Sequence, residues 1–139
     1  MNGGVILYDI EEVKNILESS INNLMHDFIE QPYKHRCEHS LHCELYNMLM
    51  KHHALQGIFQ LKDTDFGTTL LHKEWPETIP RPEKSNRRGN FDIAILNPKS
   101  VSRCNIKEFN GGRIKPDFVV EIGLNYGLEH LESDEKKLI

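Results

Sequence analysis

The sequence predicts a single α/β domain in which helices flank a central sheet. Its 139 residues suffice for one hydrophobic core. Apolar residues recur at helical spacing in two long stretches near the N-terminus. Short runs rich in β-branched and aromatic residues follow them, each bounded by Gly, Pro or Asn, as is typical of strands. No apolar run approaches the length of a membrane span.

Two helices open the chain. The first is predicted over 9–30, where Asp9 followed by Glu12 resembles a capping box and the dipeptide 31–32, Gln-Pro, ends the pattern. This helix is expected to cover the core or to mediate a homodimer. The second is predicted from 36 or 40 to 56, with a glycine as its stop.

Glu44 is the one acid of the second helix that borders its apolar stripe, three residues after Leu41 and four before Met48. An acid on the packed side of a helix could join Asp92 and Glu121, the acids of two predicted strands, as a third carboxylate of one site. The alternative is a surface residue at the edge of the stripe.

Strands are predicted over 58–61, 68–75, 89–96 and 116–124. In the second of these strands, Lys73 and Glu74 are adjacent. Side-chain alternation therefore predicts that only one of them faces Asp92 and Glu121, the acids of the last two strands. The last two strands are joined by a long connection, which is often a functional feature. A third helical pattern begins after 127 and is still in progress at 139, which indicates a truncated C-terminus.

Asp92 and Glu121 are the acids on which the functional interpretation depends. Each lies among apolar neighbours in its strand, where an ionised carboxylate is costly unless a cation meets it. Asp92 shares a strand face with Ala94, and Glu121 shares one with Gly123, so each has a small residue beside it. If the two strands pair, both carboxylates can converge on one hard metal ion.

The net charge of −4 conceals a basic segment at 81–115. This segment has nine Lys and Arg residues against three acids, so its net charge is +6 and that of the rest is −10. A basic region around an acidic pair suits cleavage of a polyanion; the alternative is an ordinary solvated loop. The residues expected to bind nucleic acid are Arg81, Lys84, Arg87, Arg88, Arg103, Lys107, Arg113 and Lys115.

The order of these elements resembles the PD-(D/E)XK nuclease superfamily over residues 36–139. The matching elements are a helix with Glu44, strands with Glu74, Asp92 and Glu121, and a final helix. The resemblance implies a restriction-endonuclease-like core, with a mixed central sheet flanked by helices and an extra N-terminal helix, in one nuclease-like domain over 1–139. It also implies metal-dependent hydrolysis of nucleic acid, with DNA as the expected substrate.

The resemblance further implies a ligand set for the metal. Asp92 and Glu121 match the two metal-binding acids of the superfamily, and Glu44 matches a helical acid that many members add. The main-chain carbonyl of Ile122 is the expected fourth ligand. Oxygen ligands of this kind suit Mg²⁺ or Mn²⁺.

Gly123 occupies the position, two residues after the second acid, where the superfamily has a lysine that orients or helps to deprotonate the attacking water. Lys73 is the first choice for a relocated lysine, and Lys136 or Lys137 is the second. Without a relocated lysine, the domain is expected to be a catalytically inactive member of the superfamily that binds nucleic acid or assembles with protein. The remaining alternative is an unrelated α/β domain whose acids are structural.

The chain has three cysteines, and their spacing matches no disulfide framework. No signal peptide is apparent, so the sequence predicts a cytoplasmic protein. The stretch 35–43 is dense in His and Cys, but it fits no four-ligand zinc site, and a polar helix start with a buried Cys43 is the simpler interpretation. Cys104 lies in the basic segment, which is expected to lower its pKa, but no base is assigned to it as a nucleophile.

Overall fold

The computed structural model describes residues 8–78 and 89–124. Two α-helices lead into a series of short strands, and two further short helices separate the last two strands. The elements are α1 (Ile10–Glu30), α2 (Glu38–Met50), β1 (Phe59–Gln60), β2 (Gly67–Thr68), β3 (Leu71–Pro76), β4 (Asn90–Ile95), α3 (Pro98–Ser102), α4 (Ile106–Asn110) and β5 (Phe118–Val120). Short 3₁₀ turns lie at Pro32–Lys34 and His53–Leu55. The helix predicted after residue 127 lies outside the described residues.

The strands form two small antiparallel sheets, β1-β2 and β3-β4-β5, with β4 in the centre of the second. The α/β class is therefore confirmed. The expectation of a mixed sheet differs from what is found, because every pairing in the described ranges is antiparallel. Each strand of β3-β4-β5 runs back beside the one before it, so this part of the chain makes no parallel crossover.

The helix predicted over 9–30 is α1. Its N-cap is Asp9, whose carboxylate accepts hydrogen bonds from the backbone amides of Glu11 at 3.0 Å and Glu12 at 3.4 Å. These amides have no partner inside the helix, so the cap stabilises the first turn. The inner face of α1 buries Val13, Leu17, Ser20 and Leu24.

The core lies between α2 and the larger sheet. Leu45 and Leu49 of α2 and Ala94 of β4 are buried, and α2 contacts both β3 and β4. Burying each of the two leucines contributes about 1.5–3 kcal/mol. The packing fixes the inner face of α2 over the sheet at the level where the acids lie.

The connection between β4 and β5 is ordered by two short helices and their caps. Asn105 and Glu108 form a reciprocal capping box at the start of α4. Gly112 follows with a φ of +63°, and a Cβ built there would lie 2.5 Å from Cγ of Pro76. The indole nitrogen of Trp75 donates to the carbonyl of Ile114 at 2.9 Å. The connection is therefore fastened directly to the end of β3.

The strand predicted over 116–124 is much shorter in the structure, where β5 ends at Val120. Glu121 comes immediately after it. None of the helices in the described part of the chain has the length and apolar character required to cross a bilayer.

Candidate metal centre

Three acids occupy one level across the larger sheet. The pairing of β3 with β4 places Glu74 opposite Asp92, since the residues on either side of Glu74 pair in that register. Ile93 pairs with Val120, so Glu121, one residue beyond β5, is at the level of Asp92 on the other side. Directly opposed residues of antiparallel strands are close neighbours. The central strand thus holds Asp92 between two other acids.

Helix α2 places the imidazole of His42 beside Asp92. Nε2 of His42 lies 3.3 Å from Oδ2 of Asp92. One ligand atom from each of His42, Glu74 and Asp92 lies within 4.8 Å of the other two. Two atoms bound to one ion by bonds of about 2.1 Å are at most about 4.2 Å apart, so small side-chain movements would allow all three to bind the same ion. We call these residues the His42 cluster.

The His42 cluster is closed on one side and open on the other. His42 is only 6% exposed, Asp92 is partly buried, and Glu74 is exposed to solvent. An ion held here would keep open positions on the side of Glu74. A catalytic metal requires such positions for water and substrate.

The imidazole of His42 is suited to bind a metal. Burial lowers its pKa, the Asp92 carboxylate opposes this effect, and the Lys73 ammonium adds to it. The ring is therefore neutral at pH 7 and has a lone pair to offer. Neither ring nitrogen makes a hydrogen bond within the described residues. A buried polar atom without a partner is costly, and a bound ion would supply that partner.

Glu74 has a backbone conformation that is unusual for a strand. Its φ is 56°, in the left-handed region, which costs of order 1–3 kcal/mol for a residue other than glycine and is frequent at functional sites. The conformation also interrupts side-chain alternation along β3. The ring centroids of His72 and Trp75, three residues apart, are separated by only 5.2 Å, whereas alternation would point them to opposite faces.

Lys73 and Glu74 consequently both approach α2. Nζ of Lys73 donates to Sγ of Cys43 on α2 at 3.3 Å. A carboxylate oxygen of Glu74 lies within 4.8 Å of a ring nitrogen of His42, which precedes Cys43 on the same helix. Both side chains act electrostatically on His42. The prediction that only one of the two could face the acids is therefore wrong, because alternation holds only where the backbone is extended.

Asp92 is also fixed from the side of β5. Its Oδ2 accepts a hydrogen bond from the backbone amide of Ile122 at 2.7 Å. Ile122, whose carbonyl is the expected metal ligand, contacts Asp92 through its backbone nitrogen. This bond holds the Asp92 carboxylate at the level of Glu121.

The remaining predicted ligands, Glu121 and Glu44, are not members of the His42 cluster. Glu121 is partly buried and, with Gly123, lines a largely apolar cavity of about 380 Å³ beside α1 and α2. Glu44 is partly buried on α2. It lies two residues after His42, and residues at that spacing on a helix do not face each other.

Sequence reasoning did not select His42 as a ligand, although it noted the density of metal-capable residues at 35–43. One signal was present. His42 lies three residues before Leu45 and seven before Leu49, both buried residues of α2, so helical spacing directs it toward the sheet. A polar residue directed toward the sheet is a candidate for a site there, and Asp92 lies 3.3 Å from its Nε2.

Half of the residues predicted to bind nucleic acid can be located. Arg103, Arg113 and Lys115 line a cavity of about 270 Å³ beside α3 and α4, and Lys107 is exposed on α4. Arg81, Lys84, Arg87 and Arg88, and the alternative lysines Lys136 and Lys137, lie outside the described residues.

Cys104 does not have the lowered pKa that its basic surroundings predicted. The side chain is buried, and burial raises the pKa of its thiol, with the carboxylate of Glu108 acting in the same direction. The thiol is therefore uncharged at neutral pH and is a poor nucleophile.

Comparisons of the chain with family models, with curated proteins and with solved structures returned no match.

Proposed function

We propose that this protein is a metal-dependent nuclease that hydrolyses phosphodiester bonds, with DNA as its expected substrate. The observation that carries the proposal is the convergence of His42, Glu74 and Asp92. The succession of a helix and three antiparallel strands, with acids on one level of the sheet, supports the resemblance to the PD-(D/E)XK superfamily. The basic residues of 97–115 supply the charge that a polyanion requires.

The donor set bears on the choice of metal. One imidazole and two carboxylates form a mixed nitrogen and oxygen set, whereas Mg²⁺ prefers oxygen ligands and retains its water. Mn²⁺ accepts both donor types and binds such a set more tightly than Mg²⁺ does. We therefore favour Mn²⁺, with His42, Glu74 and Asp92 as its protein ligands. When bound, the ion would acidify a water molecule and stabilise charge on the phosphate.

Within the described part of the chain, Lys73 is the lysine that we infer replaces the missing motif lysine. Its ammonium lies beside α2, held by Cys43 at 3.3 Å, and it acts electrostatically on His42. A cation here would donate hydrogen bonds to the attacking water or to a phosphate oxygen. In the hydrolysis, the water oxygen bonds to phosphorus, the bond to the leaving oxygen breaks, and that oxygen departs with a proton.

Cleavage assays on plasmid, linear duplex and single-stranded DNA test the proposal. Asp92→Asn and Glu74→Gln preserve the shapes of the side chains and remove their charges, so each should lower Mn²⁺-dependent cleavage by about 100-fold or more. Glu18→Gln, an exposed substitution on α1, is the matched control and should cleave normally. Full activity in Asp92→Asn would refute the proposal.

A second function is favoured by one specific observation, the glycine at position 123. A domain without the motif lysine that has also lost metal chemistry would serve in nucleic-acid binding or protein assembly. The wild-type protein distinguishes the two functions. A wild type that binds DNA but shows no cleavage with Mn²⁺ or Mg²⁺ would establish the binding function, and metal-dependent cleavage would exclude it.

A further inference from the structure

A second site lies on the connection between β4 and β5, apart from the His42 cluster. Arg103, which follows α3, and Arg113 and Lys115, which follow α4, line one cavity of about 270 Å³. The three side chains are exposed, and no salt bridge occupies any of them within the described ranges. We call this cavity the basic cleft.

The other polar groups of the basic cleft do not cancel its positive charge. Glu108 is the single acid among the described residues that line it, and one carboxylate oxygen of Glu108 already accepts from the backbone amide of Asn105 at 3.2 Å. Cys104 is buried, and burial raises the pKa of its thiol, so it adds no negative charge at neutral pH. Three cations therefore face one partly engaged carboxylate, and the cleft favours an anion.

The backbone that presents these cations is held in place. The amide of Arg113 donates to the Glu108 carbonyl at 3.0 Å. Gly112 packs against Pro76 so closely that a Cβ would clash. Ile114, between Arg113 and Lys115, accepts the hydrogen bond of the Trp75 indole. A preorganised site of this kind loses less conformational entropy when a ligand binds.

Trp75 also relates the basic cleft to the His42 cluster, because it follows Glu74 directly in β3. The indole ring fastens the cleft to the strand that carries a proposed metal ligand.

We propose that the basic cleft binds a phosphate group of a nucleic-acid backbone. The proposal rests on the proposed function, since it assigns the substrate contact of the same enzyme. Two guanidinium groups and an ammonium suit phosphate, because the planar fork of arginine makes paired hydrogen bonds to phosphate oxygens. Contacts of this kind position the backbone and do not read sequence.

The test measures binding without cleavage. The full chain is titrated into a fluorescent DNA oligonucleotide in EDTA at several salt concentrations, and anisotropy gives the affinity. Arg103→Gln/Arg113→Gln should weaken binding by tenfold or more and reduce the slope of log K against log salt by about one for each lost phosphate contact. Lys14→Gln/Lys34→Gln removes two exposed charges elsewhere and should leave both values unchanged.

A charge-preserving variant keeps the test valid if the glutamine variant is unstable. Arg103→Lys/Arg113→Lys should retain the salt slope but lose several-fold in affinity, since lysine cannot form the bidentate contact. Titration with inorganic phosphate, followed by competition with the oligonucleotide, distinguishes a free anion from a backbone. The proposal fails if both arginine variants bind DNA as the wild type does, or if they lose only phosphate binding.

The outcome is separable from that of the nuclease proposal. Loss of DNA binding in the arginine variants, together with no cleavage by the wild type, would leave the basic cleft established and the nuclease proposal rejected. Unchanged binding in those variants, together with metal-dependent cleavage by the wild type, would reject the cleft and retain the nuclease.

Discussion

His42 on α2 and Asp92 on the central strand face each other with Nε2 and Oδ2 3.3 Å apart. Two donor atoms that share an ion with bonds of about 2.1 Å are separated by about 3.0–3.4 Å at octahedral or tetrahedral angles. The pair therefore already has the spacing of neighbouring ligands. The two residues are 50 apart in the sequence, and the packing of α2 on β3 and β4 brings them together.

Removal of the imidazole should alter metal selectivity more than overall metal binding. In His42→Gln, an amide replaces the nitrogen ligand that Mn²⁺ accepts better than Mg²⁺ does. We expect Mn²⁺ affinity to fall by about tenfold or more, with a smaller change for Mg²⁺, as measured by calorimetry and by electron paramagnetic resonance of Mn²⁺. His26→Gln, an exposed substitution on α1, is the control. Equal losses for the two metals would argue against nitrogen ligation.

Glycine and alanine at position 74 should differ in their effect on stability but not in their effect on activity. Glu74→Gly removes the steric cost of a φ of 56°, so it should be more stable than Glu74→Ala by about 1 kcal/mol. Both variants should lose metal-dependent cleavage. Urea unfolding measures the difference in free energy of unfolding. Equal stability of the two variants would show that the left-handed backbone of Glu74 is not a source of strain.

Stability should decline in mild acid because of His72. Burial lowers its pKa, an effect that the hydrogen bond from Nε2 to the Thr69 carbonyl partly opposes. The folded pKa is below the unfolded value of about 6.5, so the contribution of His72 is complete above that value. It is lost as the pH falls through 6.5 toward the folded pKa.

His72→Phe tests this dependence, since an aromatic ring retains the contacts with Trp75 and Phe109. The free energy of unfolding of the variant, measured in urea between pH 5 and 8, should fall less steeply in acid, by up to about 1.4 kcal/mol per pH unit. His26→Gln should follow the wild-type curve. A His72→Phe curve parallel to that of the wild type would exclude this histidine as the cause.

The two adjacent glycines at 111 and 112 should differ sharply in their tolerance of alanine. Gly112→Ala combines a φ of +63° with a Cβ 2.5 Å from Pro76 Cγ, and should cost about 2 kcal/mol or more. Gly111→Ala places its Cβ 3.4 Å from the Lys107 carbonyl, with a φ of −80°, and should cost less than about 1 kcal/mol. Thermal unfolding of the pair gives the comparison, and similar losses would contradict the close packing at Pro76.

Periodicity identified the elements whose signals are local. The helical spacing at 9–30 and the cap at Asp9 correspond to α1, and the apolar run at 89–96 corresponds to β4. Asp92 could be selected because an acid in a buried strand requires a partner. These inferences needed only the preferences of neighbouring residues.

The partners of Asp92 could not be predicted in the same way, because they depend on tertiary packing. Glu74 joins His42 only because its backbone leaves the extended region, and nothing in the sequence around it, such as a glycine, signals a positive φ. Glu121 was expected inside a strand, but β5 ends one residue earlier. The direction of a side chain at a strand end is not fixed by alternation, and the apolar cavity beside Glu121 is formed by distant helices.

Trp75 is the single tryptophan of the chain. It is 5% exposed, adjoins Glu74 in β3, and donates its indole proton to Ile114 at the rim of the basic cleft. The emission of this indole is therefore an intrinsic optical reporter for both sites. A quenching ion such as Mn²⁺ at Glu74 and a polyanion at Ile114 would each perturb the same fluorophore, so ion loading and substrate capture can be followed in unlabelled protein.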